Sequence, residues 1–284
     1  MIVDIILITY NQEQYISQAV ESILMQSVND DVQVRVIVAD DCSKDKTLEI
    51  IKSYEEKSPF QFTYLSTDTN LGISKNYQRA FAICNGDYIA ILEGDDWWST
   101  PNHLENHIRF LSSHHECCMS MNRISYIRPE TPQPITFGWN YNEDVHYVDT
   151  KSQIKDGNQL GNLSACVFRT CCIKSLESSL YDLYLADWML GVMLSQKGLI
   201  AILKESTSVY RQNPHSKWAA LSRNEQISQL INLAESYDKY QNGLYHEEWA
   251  YFIKNLKRSK YKFYKKFLPK PFINIIIKMF RKVL

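Results

Sequence analysis

An α/β protein built on a mostly parallel, doubly wound sheet is the fold class this chain predicts. Three observations carry it. Short apolar runs of strand length alternate with segments whose apolar residues recur at helical spacing. The alternation repeats at the length of a β-α unit. Each of the first four runs also ends in, or leads into, polar residues suited to holding a ligand at the carboxyl edge of an open sheet.

The elements follow in chain order. Ile2 to Ile8 reads as a strand, and Ile16, Ala19, Val20, Ile23 and Leu24 recur at helical spacing. Val34 to Ala39 is a second strand, with Ser43 as candidate cap for a helix through Leu48 and Ile51. Phe62 to Leu65 is a third. Ser74 is a candidate cap for a helix placing Tyr77, Ala80, Phe81 and Cys84 on one face, and Tyr88 to Leu92 is the fourth strand. Thr100-Pro101 supplies a cap and a first-turn proline for a helix carrying Leu104, Ile108 and Leu111. Residues 127–150, with Pro129, Pro132, Pro134 and Gly138, read as a long irregular excursion. Ser164 to Arg169 and Leu199 to Leu203 are further strands on either side of a short helix from Trp188 to Lys197. From Ser216 onward the pattern is helical, with Ile227, Leu230, Ile231 and Ala234 on one stripe.

A chain of 284 residues is long enough to bury a sizeable core. Hydrophobic residues at 45% and charged residues at 22% exclude wholesale disorder. The net charge of -1 hides an asymmetry: residues 254–284 hold eleven of the 31 Lys and Arg and none of the 32 Asp and Glu. The body is therefore acidic and the tail basic. Seven cysteines, an odd number without any Cys-x-x-Cys pair, point to reduced thiols rather than a disulfide framework or a zinc site. The start lacks the features of a signal peptide, and no apolar run approaches a membrane span, so a cytoplasmic location is expected.

The strongest chemical signal is Glu93-Gly94-Asp95-Asp96-Trp97-Trp98, which follows the fourth strand. Carboxylates grouped at a strand end repel one another unless donors or a cation neutralise them, and a divalent metal is the natural inference. The other strand ends carry Thr9-Tyr10-Asn11 and Asp40-Asp41 and lead to Asn70-Leu71-Gly72. Neither Gly-x-Gly-x-x-Gly nor Gly-x-x-x-x-Gly-Lys-Ser/Thr is present, which disfavours a dinucleotide fold and a phosphate-cradling P-loop.

Thr-Tyr-Asn, Asp-Asp-x-Ser-x-Asp-x-Thr, Asn-x-Gly, Gly-Asp-Tyr-Ile and Glu-Gly-Asp-Asp-x-Trp, in that order, resemble the GT-A-fold glycosyltransferases of family 2. The resemblance spans roughly residues 1–215. It implies a glycosyltransferase domain over 1–217 and a helical, basic extension over 218–284. It also implies that Thr9, Tyr10, Asn11, Asp40 and Asp41 contact the nucleoside and that Asn70 and Gly72 lie on the diphosphate side. Lys75 stands where many members carry arginine. In the acidic motif, Asp96 matches the metal ligand for Mn2+ or Mg2+ and Asp95 the position nearer the ribose, while Glu93 replaces the usual first Asp. Asp187 matches the general base, and an acceptor hydroxyl does need a carboxylate to take its proton. His215, in a segment beginning Tyr210-Arg211, matches a ligand of the metal or the leaving diphosphate, and Trp97 and Trp98 are candidates to stack on an acceptor sugar. Simpler roles stay open. Asp40, Asp41 and Ser43 can cap a helix, as can Asp187, His215 can be a surface residue, and one tryptophan can anchor the loop.

The implied activity is inverting transfer from a nucleotide sugar, a UDP-sugar foremost, to a glycan or lipid-linked acceptor in bacterial surface polysaccharide synthesis. A nucleotidyltransferase and an inactive sugar- or membrane-binding module are the competing classes. In the tail, Phe272, Ile273, Ile276, Met279, Phe280 and Val283 share one helical face, and Lys278, Arg281 and Lys282 lie on another. That pattern suits an anionic membrane surface better than nucleic acid and suggests peripheral attachment at the inner face of the cell membrane. A packing arm is the alternative. On the membrane reading, a chain ending at residue 253 loses co-sedimentation with anionic liposomes, and retention of it contradicts the reading.

Overall fold

The structure, a computed structural model, describes residues 1–131, 133–136, 141–212 and 218–267, with main chain alone over 259–267. Its strands are β1 (Ile2–Thr9), β2 (Gln33–Asp40), β3 (Gln61–Leu65), β4 (Tyr88–Glu93), β5 (Trp97–Trp98), β6 (Cys117–Ile127), β7 (Ile135–Thr136), β8 (Val145–Val148), β9 (Cys166–Arg169) and β10 (Leu199–Arg211). Its helices are α1 (Ile16–Leu24), α2 (Thr47–Glu55), α3 (Ile73–Ile83), α4 (His103–Ser113), α5 (Thr150–Lys155), α6 (Thr170–Lys174), α7 (Asp187–Ser195), α8 (Arg223–Tyr240) and α9 (His246–Phe267). The chain divides into two compact units, Met1–Gln153 with Gly157–Asn213 and Ile154–Asp156 with Pro214–Leu284.

The first unit carries one sheet in the order β3-β2-β1-β4-β9-β6-β10-β5. Its first four strands are all parallel, and the central β1 and β4 carry the continuous buried runs, Val3 to Ile8 and Tyr88 to Leu92, that parallel strands covered on both faces show. The chain steps outward from β1 through β2 to β3 and then returns to the other side of β1 as β4. The strand order reverses at β1, so the carboxyl ends of β1, β2 and β4 share one edge at a topological switch point. The register fixes this edge residue by residue: Thr9 pairs with Asp40, and Ile8 with Glu93.

The rest of the sheet is mixed. β9 is antiparallel to both β4 and β6, β6 and β10 are parallel, and β5 is antiparallel to β10 through Ser208–Trp98 and Val209–Trp97. Two of these strands are poorly legible in the sequence. β6 carries Ser120, Asn122 and Ser125, all buried, and this breaks the apolar pattern. Each has a partner: Ser120 Oγ bonds His107 Nδ1, Asn122 Nδ2 donates to Ser208 Oγ, and Ser125 Oγ bonds Ser206 Oγ. β10 runs on past Leu203 through Lys204 to Ser208, where register shifts accommodate the polar stretch. The excursion over 127–150 is not wholly irregular, since β7 pairs with β6 and β8 with β10.

Helix starts also differ from expectation. α2 begins at Thr47, whose N–H and hydroxyl donate to Asp45, while Ser43 caps nothing and instead bonds Asp40. α3 begins after Gly72 and α4 after Asn102, so neither Ser74 nor Thr100 is a cap. Beneath the switch point, Asp4 is fully buried and ion-paired with Arg35 at 2.6 Å, and its other oxygen accepts the N–H groups of Asn85 and Gly86 at 2.8 Å each. The corner leading into β4 is thereby fixed.

In the second unit, Ser222 and Glu225 form a reciprocal capping box at the start of α8. Trp249 of α9 is buried, and its indole N–H donates to Gln241 at 2.8 Å. The amphipathic stretch read over Phe272 to Val283 lies outside the described residues. Among the described residues no helix is long and apolar enough to cross a membrane.

Candidate active site

Four loops meet at the carboxyl edge of β1, β2 and β4. Asn11, in the left-handed region at φ 52°, stitches the first two together: its N–H donates to Ser43 Oγ and its side-chain oxygen accepts from Lys44 N, both at 2.8 Å. Asp40 accepts from the N–H and the hydroxyl of Ser43. Asp41 accepts from the N–H groups of Leu71 and Gly72 at 2.7 and 2.9 Å, and Asn70 Nδ2 donates to the Asp41 carbonyl. Asp40 and Asp41 are both buried and order the loops of the expected nucleoside subsite. Gly72 has φ 80°, and a Cβ there would meet nothing within 4 Å, so the demand for glycine is conformational rather than spatial. Tyr10 is exposed at this rim, whereas the Thr9 hydroxyl is turned inward onto Gln12 Oε1 at 2.7 Å.

Lys75 lies in the first turn of α3, just after the loop carrying Asn70 and Gly72. It pairs at 2.6 Å with Asp182, both side chains being solvent-exposed. Arg79, one turn further along α3, lies beneath the loops after β2 and β3 and donates to the carbonyls of Asp40, Leu65 and Ser66 and to Asn76 Oδ1. Nothing in the sequence separates Arg79 from an ordinary surface arginine, apart from its i+4 spacing from Lys75.

The acidic cluster forms as expected: ligand oxygens of Glu93, Asp95 and Asp96 lie within 4.8 Å of one another. Gly94 makes the tight turn possible, because a Cβ there would lie 2.3 Å from Gln12 Oε1 and 2.9 Å from Thr9 Oγ1. The three carboxylates are held differently. Asp96 is 1% exposed. Its Oδ2 accepts from Asn162 Nδ2 at 2.8 Å and Ser164 Oγ at 2.7 Å, and its Oδ1 accepts from the Arg211 N–H at 2.8 Å. Glu93 accepts from the Tyr77 hydroxyl and from Asn162 Nδ2, both at 3.2 Å. Asp95 is half-buried, with a hydrogen bond from Gln12. Glu93 and Asp95 are therefore both less buried than Asp96, which keeps one lone pair on Oδ1.

Burial and mutual repulsion disfavour the ionised forms of these carboxyls. Burial, then the charge of Asp95, pushes Asp96 up to about 8. Glu93 is raised well above its ordinary range by burial and then by Asp187, Asp96 and Asp95. Burial raises Asp95 as well. Among the described residues no Lys or Arg forms an ion pair with any of the three. The Arg211 guanidinium donates instead to the Asp95 carbonyl and to Gln18, and lies over the rings of Tyr15 and Trp97 at 4.6 and 5.0 Å. An all-oxygen donor set with surplus negative charge fits a hard divalent cation.

Asp187 is the first residue of α7. The cap position is Ala186 with no side-chain cap bond, so Asp187 is not the helix cap. Burial pushes its carboxyl up to about 6. Its charge acts on Glu93, Tyr77 and Tyr210. The Tyr210 phenol is raised to about 12 by burial and then by the charges of Asp96, Glu93, Asp95 and Asp187 in turn.

The two tryptophans part company. Trp98 is fully buried, donates its indole N–H to the Ser164 carbonyl at 2.8 Å and stacks on His103 at 4.5 Å. No face of it is left for an acceptor sugar, which corrects the expectation for that residue. Trp97 is half-buried beneath Arg211. His215 lies outside the described residues. Sequence reasoning missed Gln12, Tyr77, Arg79, Asn162 and Ser164 as parts of the site. Only the Asn162-Leu163-Ser164 spacing carried a local signal, that of a side-chain-capped turn.

The chain is similar to proteins of known class. An uncharacterized protein of Mycobacterium tuberculosis is 29% identical over 217 residues, covering 75% of this chain and 60% of that protein. The chain thus spans less than two thirds of the relative's length. The poly(ribitol-phosphate) beta-N-acetylglucosaminyltransferase TarS of Staphylococcus aureus is 30% identical over 111 residues, 39% of this chain and 19% of that one. In structure, TarS 1-349 in complex with UDP-GlcNAc superposes with a TM-score of 0.61 at 20% identity, over 82% of this chain and 66% of that one. The mannosyltransferase PcManGT from Pyrobaculum calidifontis, in complex with GDP-Man and Mn2+, gives 0.60 at 13% identity over 99% and 79%. These likenesses show a GT-A-type fold. The profile of glycosyl transferase family 2 matches residues 4–173, more than half of the chain, and this protein belongs to that family.

Proposed function

We propose that this protein is an inverting, divalent-metal-dependent glycosyltransferase. It moves a hexosyl group from a UDP-sugar to a glycan acceptor, lipid-linked, in bacterial surface polysaccharide synthesis. The single observation that carries the reading is the cluster of Glu93, Asp95 and Asp96, with ligand oxygens within 4.8 Å of one another, at the switch point of the sheet. A UDP-sugar is favoured because TarS, similar in sequence over part of the chain, is a beta-N-acetylglucosaminyltransferase and has been captured with UDP-GlcNAc.

On this reading Tyr10 presents an exposed ring to the base, while Asp40 and Asp41 fix the loops around it. Asp95, with Glu93 and the spare lone pair of Asp96, holds the cation, Mn2+ or Mg2+. A cation bound there supplies Lewis-acid stabilisation of the leaving nucleoside diphosphate. Asp187 takes the proton from the acceptor hydroxyl as that oxygen attacks the anomeric carbon and the bond to the diphosphate breaks. Its raised value keeps it a base of useful strength near neutrality.

A thermal-shift series on the full-length protein tests the reading. Asp96 has a folded-state value of about 8 against an ordinary 3.8. Its contribution to stability is thus full below the unfolded value and lost as pH rises through about 8. Without metal the fold should lose stability between about pH 6 and pH 8. Mn2+ should restore more of it at the higher pH, and a UDP-sugar with Mn2+ should raise Tm further. No response to Mn2+ with any of UDP-, GDP- or dTDP-sugars would remove the reading, and a larger response to a GDP-sugar would correct the donor.

A further inference from the structure

We propose that Asn162 and Ser164 are the positioning residues of the cation site, fixing which carboxylate oxygens remain to meet the metal and so setting its affinity. The inference rests on the metal-dependent reading above. Both residues are buried, 3% and 1% exposed, in the short turn that precedes β9. Neither belongs to the acidic motif.

Their hydrogen bonds leave little freedom. Asn162 Oδ1 accepts from the Ser164 N–H at 2.6 Å, which orients the amide and directs Nδ2 at the cluster. An amide nitrogen carries two hydrogens, and both are used, one on Asp96 Oδ2 and one on Glu93 Oε2. The Ser164 hydroxyl donates its one hydrogen to the same Asp96 Oδ2 and accepts from the Glu93 N–H at 3.0 Å. Two donors on Asp96 Oδ2 occupy both of its lone pairs, so that oxygen is withdrawn from a cation. Asp96 Oδ1 is held by the Arg211 N–H with one lone pair to spare. The turn thus grips the cluster from its buried side and leaves Asp95, the freer lone pairs of Glu93 and one of Asp96 for the metal. Groups that orient metal ligands in this way typically change affinity by about 10- to 100-fold when removed.

Removing the Ser164 hydroxyl frees Asp96 Oδ2 and the Glu93 N–H but spares the Trp98 contact, which uses the Ser164 carbonyl and not the side chain. The test is Mn2+ affinity, read by electron paramagnetic resonance of free Mn2+ in the presence of saturating UDP, for the full-length wild type, Asn162→Ala, Ser164→Ala and Ser164→Thr. The expected result is a Kd weakened about 10- to 100-fold in the two alanine variants and largely restored in Ser164→Thr. A role confined to packing would lower Tm in EDTA while leaving the Mn2+ Kd within about twofold of wild type, and that result overturns the proposal. Should Asn162→Ala fail to fold, Ser164→Ala decides by the same criterion. A wild type that binds no Mn2+ would instead remove the metal-dependent reading on which the inference stands.

Discussion

Asp187→Asn leaves cation and donor binding near wild type and lowers the rate of sugar transfer by about 10²- to 10⁴-fold, the usual contribution of a positioned general base. The amide matches the carboxylate in shape but has no site to receive the acceptor's proton. Asp187 sits at the start of α7, and the hydrogen bonds of Glu93 and Asp96 run to Tyr77, Asn162, Ser164 and the Arg211 N–H, so its loss leaves them intact. One change in the cluster is expected: the charge of Asp187 is the second cause raising Glu93, and removing it eases that carboxyl back toward ionisation. In the wild type the same group imposes a pH profile. With Asp187 pushed up to about 6, transfer is full above that value and falls as pH drops through it. Steady-state rates and donor affinities from pH 5 to 8 check both points. Transfer by the variant at the wild-type rate would make Asp187 a bystander.

Asp95→Asn removes metal-dependent donor affinity, by at least about 10²-fold in Kd for UDP in the presence of Mn2+. Asp95 is half-buried, and its neighbours have oxygens already committed to Asn162, Ser164, Tyr77 and the Arg211 N–H. An amide in its place keeps the turn at Gly94 and a hydrogen-bonding group toward Gln12 while deleting the charge. Calorimetric titration of UDP with Mn2+ and with EDTA separates the two contributions. The variant should bind as the wild type does in EDTA, and an unchanged Mn2+-dependent affinity would shift the cation to Glu93 and Asp96.

The four parallel strands and the cluster were legible because their determinants are local. Apolar runs set β1, β2 and β4, and their polar ends mark the ligand edge. The expectation that Asp187 is the base rests on family resemblance alone, since nothing near it in the chain distinguishes a base from a helix-start carboxylate. What the sequence concealed depends on long-range partners. β6 hides behind Ser120, Asn122 and Ser125, whose burial makes sense only once His107, Ser206 and Ser208 face them. Asn162 and Ser164 reach carboxylates 66 to 69 positions away. Trp98 and Trp97 are neighbours in the chain, and pairing with β10 sends one into the core and leaves the other beneath Arg211. Lys75 occupies the family's arginine position, yet Asp182 holds it at the surface.

The most direct test of the central claim, that the cluster and Asp187 form one metal-dependent sugar-transfer site, is the release of UDP from UDP-GlcNAc by the full-length protein. The account predicts slow release with Mn2+, none in EDTA, and loss of the Mn2+-dependent release in Asp95→Asn. Release that is equal with and without Mn2+, or that survives unchanged in Asp95→Asn, would contradict it.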